Sequence, residues 1–78
     1  MRVMTMPEAG ANGYLPLTKT QLAVLAERAA GWSTGDVAVR LEIPRSQVEE
    51  LLDEVRGILG ATHTPHAVAE AFRAGYLA

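Results

Sequence analysis

The sequence predicts an all-α domain of four helices. Apolar residues recur at steps of three and four in four segments, each segment opens on a capping residue or proline, and three of the four are followed by glycine. No stretch reads as a strand. Residues 1–13 hold Pro7, Gly10 and Gly13 with no helical or strand period and are expected to be a flexible tail, leaving 14–78 as the folded domain. Tyr14, Leu15 and Leu17 are apolar enough to rejoin the core ahead of the first helix.

Thr18 opens the first helix, with Gln21 three residues on, the spacing of a capping box. Leu22, Leu25, Ala26 and Ala29 follow as its expected buried stripe, and Gly31 supplies the left-handed conformation that helix ends favour. Ser33 caps the second helix, with Asp36 in its first turn where the helix dipole favours a negative charge. Val37, Ala38 and Leu41 form its inner face. Leu41-Glu42-Ile43 makes the next turn, and Pro44 opens the third helix, where a missing amide costs nothing. Val48, Leu52, Val55 and Leu59 then repeat at steps of four, three and four, and Gly60 closes the helix. Thr64 and Pro65 are expected to cap and open the fourth helix. Ala67, Val68, Ala71 and Phe72 lie along one side of it, and Gly75 follows.

Composition narrows the class. A chain of 78 residues is one small domain at most, and such a chain buries only about 60% of its unfolded surface. It has no cysteine for a disulfide or thiolate metal site. Neither a signal peptide nor an apolar run of membrane-spanning length is legible, so a cytoplasmic protein is expected. Six arginines against one lysine, with thirteen alanines, are what GC-rich codons produce and point to a bacterial or phage source. The net charge of −2 argues against nonspecific coating of nucleic acid.

The run Leu17-Thr18, Leu25, Ala29, Gly31, Ser33, Asp36-Val37-Ala38, Leu41, Ile43, Val48, Val55, Leu59-Gly60, Ala67-Val68 and Gly75 resembles the LuxR-type helix-turn-helix domain. That family shows L-T near its start, then A-x-G-x-S-x-x-E-I-A-x-x-L-x-I-S-x-x-T-V-K-x-H, then L-G and a terminal A-V-x-x-A helix. The register holds over residues 17–77 without a gap. The resemblance implies a DNA-binding transcriptional regulator whose third helix enters the major groove and whose fourth pairs two copies. Family members usually carry a sensing or receiver domain upstream. This chain, with a short tail there, is expected to be an effector domain standing alone.

Departures fall where DNA chemistry belongs. Pro44 stands at the family's Ser, Gln47 at its Thr, Glu49 at its Lys, Leu51 at its His and Ile58 at a second Lys. The third helix therefore sets Arg45 and Arg56 against Glu49, Glu50, Asp53 and Glu54, a net charge of −2, although duplex DNA carries about one negative charge per 1.7 Å of axis. The expected readers are Arg45, Ser46, Gln47 and Glu49. Arg suits guanine and Glu can accept from cytosine N4, and the two are one turn apart on the same face. Lys19, Thr34 and Arg40 are expected on flanking phosphates, and the dimer interface on Ala67, Val68, Ala71 and Phe72. The alternative is a helix-turn-helix fold turned to protein interaction, its acidic third helix docking on a basic protein partner. A positive rim of Lys19, Arg28, Arg40, Arg45 and Arg56 would favour DNA, and a continuous negative face would favour the partner.

Other candidates reduce to structural roles. Trp32 reads as partly packed on its neighbours rather than as a partner anchor, and Leu51 and Ile58 as a slightly widened core. His63 and His66, with no cysteine or nearby carboxylate, make at most half a metal site and read as loop and cap residues. The paired acids lie on an outward helix face without the pocket that acid–base catalysis needs. No cofactor motif and no nucleophile with its base is legible, so no enzyme is expected.

Overall fold

The computed structural model describes residues 17–78. They form α1 (Lys19–Ala29), α2 (Thr34–Leu41), α3 (Arg45–Leu59) and α4 (Thr64–Ala74), with no strand among the described residues. The expected tail over 1–13 and the return of Tyr14 and Leu15 to the core lie outside the described residues.

The 15-residue α3 is the axis of the fold and packs against each of the other three helices. At about 1.5 Å per residue it is roughly 22 Å long, long enough to serve two cores in series. Its first half joins α1 and α2 around Val24, Val37, Ala38, Val48 and Leu52. Its second half joins α1 and α4 around Leu25, Val55, Ala67 and Ala71. Helices α2 and α4 do not touch each other. The stripe expected on α3 is the one observed, with Val48, Leu52 and Val55 buried and Leu59 packed at the edge.

The stripe on α1 is rotated from the one expected. Gln21, Val24 and Leu25 are buried, Leu22 and Ala26 are half-buried, and Ala29 is exposed. The segment from Leu22 to Ala26 is apolar on every side, so periodicity alone does not set its phase. A polar residue supplies what the period lacks. The Thr18 amide donates to Gln21 Oε1 at 2.9 Å, and Gln21 Nε2 donates to Glu54 Oε1 at 3.0 Å, which turns this side of α1 toward α3. The reciprocal bond from the Gln21 amide to Thr18 Oγ1, at 3.1 Å, completes the capping box.

Ser33 caps α2 as expected, accepting from the Asp36 amide at 3.1 Å. The start of α4 departs from expectation by one residue. His63 precedes the helix without a side-chain cap, and Thr64 is its first residue. The Thr64 hydroxyl instead accepts from Arg56 at 3.0 Å, tying α4 to α3.

All four helices end in the same way. The amides of Trp32, Ile43, Ala61 and Tyr76 each reach back five residues, to the carbonyls of Glu27, Ala38, Arg56 and Ala71. This closure needs a left-handed residue just before the donor. Gly31, Gly60 and Gly75 supply it at three ends, and Glu42 does so at the fourth with φ 58° and ψ 44°. A side chain in that conformation costs about 1 kcal/mol. Glu42→Gly is therefore expected to raise stability by about 0.5 kcal/mol or more, after the added flexibility of the unfolded chain is counted. Urea unfolding reads it directly, and a loss of stability would show that the Glu42 side chain contributes a contact of its own.

Candidate nucleic-acid interface

The Arg45 side chain reaches from α3 back along α2. Only Glu42, Ile43 and Pro44 separate the helices, so α3 begins beside the end of α2, and the long guanidinium arm of Arg45 extends to the first turn of α2. A β-carbon built on Gly35, in the first turn of α2, would lie 3.8 Å from a terminal guanidinium nitrogen of Arg45. Arg45, Ser46 and Gln47 form the first turn of α3 and are all exposed. No side chain caps this end of the helix, because Pro44 stands at the capping position. Arg45 Nε lies 3.6 Å from Glu49 Oε2, one turn along, with both side chains largely in solvent.

Thr34, half-buried, is the first residue of α2 and shares this edge with Gly35. Lys19 is exposed at the start of α1, on the rim of a shallow hollow completed by Thr20, Ala23, Leu41 and Ile43, and so flanks the α2–α3 turn. It has no ion-pair partner among the described residues. Of the seven residues expected at the DNA face, Lys19, Arg45, Ser46, Gln47 and Glu49 are therefore exposed and unhindered by other helices, and Thr34 is half-buried.

Arg40 is the exception. It ion-pairs through Nε with Glu27 of α1, and its guanidinium carbon stands 4.2 Å from the centroid of the Trp32 ring. The Glu27 hydrogen bond, reinforced by the Glu27 and Asp36 charges, raises its pKa above the ordinary arginine value. Arg28 donates to the Trp32 carbonyl at 2.6 Å. Arg40, its side chain 45% exposed, is thus held by two partners at the α1–α2 corner. Glu27 and Arg40 are thirteen residues apart on different helices, beyond the reach of any helical period, so their pairing was not legible in the sequence. Trp32, 39% exposed, is partly packed on Arg40 as expected.

Past its first turn α3 becomes acidic. Glu49, Glu50, Asp53 and Glu54 are exposed. Arg56 turns back to Asp53 and Thr64, Glu54 accepts from Gln21, and Glu50 has no partner among the described residues. The rim of five cations considered above is thus largely engaged within the chain, and the outer face of α3 is negative from Glu49 onward. Leu51 packs against the first core cluster, which widens it as expected, and Ile58 is half-buried.

The surface expected to pair two copies is mostly internal. Ala67 and Ala71 have no exposed surface, and Val68 packs against the same cluster with Tyr76 and Leu77. The close approach that small alanines allow is made to α1 and α3 of the same chain. Phe72, 49% exposed, is what remains of that face for contact with another molecule.

Contrary to expectation a carboxylate does stand beside His66: Glu70, one turn along α4, is 3.3 Å away, and Arg73 shares it. No group of three or more metal-binding side chains assembles among the described residues. No helix there is long and apolar enough to cross a membrane. Comparison with known proteins adds no identity to this geometry: no family model, no curated protein and no solved structure matches the chain.

Proposed function

We propose that this domain is a LuxR-like helix-turn-helix module of a DNA-binding transcriptional regulator, which addresses the major groove with the first turn of α3. The observation that carries the reading is the exposed Arg45-Ser46-Gln47 turn that opens α3, with the Arg45 guanidinium reaching the first turn of α2. In helix-turn-helix docking the first residues of the second helix meet base edges, while neighbouring helix starts and cations meet phosphates. Arg45 and Gln47 are donors suited to base edges, and the uncapped start of α3 and Lys19 suit phosphate oxygens. The Arg45–Glu49 pair does not block this role, because an exposed ion pair is worth under about 1 kcal/mol and exchanges readily.

The acidic remainder of α3 limits nonspecific affinity, so binding depends on few phosphate contacts and on sequence. The test is recovery of fragmented genomic DNA on the purified protein at low and at moderate salt. Enrichment of one shared motif that survives moderate salt is the expected result. No enrichment even at low salt would sink the reading.

One observation favours a second reading. Glu49, Glu50 and Asp53 form an exposed negative face along α3 while the nearby arginines are engaged internally. Under that reading the same helix docks on a basic protein partner and modulates transcription without touching DNA. Failure of the DNA recovery experiment would direct the search to such a partner.

A further inference from the structure

We infer that Glu49 sets the base preference of this surface, restricting it to a guanine with a cytosine in the same or the neighbouring base pair. The inference rests on the DNA-binding reading above. Arg45 and Glu49 present their charged ends 3.6 Å apart, with side chains 67% and 60% exposed. They stand one helical turn apart on the same exposed face, so on parting from each other the two ends can address one base pair or two adjacent ones.

Their chemistries are opposite and exclusive. A guanidinium only donates, and its fork fits the O6 and N7 acceptors of guanine. A carboxylate only accepts. Of the four bases, cytosine alone shows the major groove a donor with no acceptor beside it. Adenine sets N7 next to its amino group, and thymine and guanine offer acceptors that repel the carboxylate. Glu49 therefore acts chiefly by exclusion, and it also repels phosphates on every sequence. The two effects oppose each other, so neutralising Glu49 raises overall affinity and lowers selectivity together. Loss of an ordinary contact would lower both.

The experiment measures Kd for the enriched motif and for a random-sequence duplex at one fixed salt concentration, using the full chain, Glu49→Gln and Arg45→Lys. Both positions are exposed, and unchanged circular dichroism establishes that the variants fold. Glu49→Gln is expected to bind random duplex several-fold more tightly. Its ratio of motif to random affinity falls about tenfold, and adenine becomes tolerated in place of cytosine. Arg45→Lys keeps its charge and the salt dependence but loses the guanine preference, because an ammonium lacks the fork. If the wild-type chain selects a motif and Glu49→Gln selects the same one with an unchanged ratio, the inference is overturned and the DNA-binding reading stands. If neither protein enriches any sequence, both fall.

Discussion

Leu25→Ala is expected to destabilise the domain by about 3–4 kcal/mol, between roughly a third and all of the stability a unit of this size has. Leu25 has no exposed surface and is the largest side chain in the cluster that it forms with Val55, Ala67 and Ala71. Two of those neighbours are alanines, which have no rotamers with which to fill a void, while Leu59, Val68 and Leu77 at the cluster's edge can close it in part, so the cost sits near the middle of the usual range. A folded unit of this size has a total stability of only roughly 3–9 kcal/mol. Leu22→Ala makes the paired control. Leu22 is half-buried on the neighbouring side of α1, and its truncation should cost about 1 kcal/mol. Urea midpoints followed by circular dichroism compare the two. Equal midpoints would mean that α1 packs in the register its apolar period suggested, with Leu22 and Leu25 sharing the core.

On the proposed DNA-binding reading, Glu49→Lys is expected to strengthen binding by about ten- to a hundredfold at low salt and to steepen its salt dependence by about one unit. The substitution removes a carboxylate and adds a cation at a position 60% exposed, one turn from Arg45. The carboxylate lies well within a Debye length of any phosphate that Arg45 or the start of α3 engages, so its repulsion is poorly screened. Selectivity should fall at the same time, since an ammonium accepts nothing from cytosine. Titrations at several salt concentrations give both the affinity and the slope. An unchanged slope would place residue 49 away from the phosphates and shift weight to a protein partner for this face.

The parts of the fold that were legible early are those decided within one helical turn. The capping box of Thr18 and Gln21, the Ser33 cap, and the glycine after α1, α3 and α4 act between residues at most five apart. Their donors and acceptors can be matched without knowing what lies across the core. The α3 stripe was legible for a related reason: Val48, Leu52 and Val55 alternate with charged residues, so only one face can be buried. The left-handed conformation of Glu42 is not legible in the sequence, because the closure is made by backbone atoms and nothing in a glutamate side chain specifies it.

What the sequence determined by itself is a chain of four helices with an exposed Arg45-Ser46-Gln47 turn and an acidic α3. Tertiary structure decided which way α1 faces, through the bond from Gln21 to Glu54. It decided that Arg40 belongs to Glu27 and Trp32, that Ala67 and Ala71 are enclosed by their own chain, and that Arg45 meets the start of α2. Each of these joins residues from different helices. Local spacing ranks the faces of a single helix, but partners across a core are chosen by the shape and charge of the neighbour that packing brings against them.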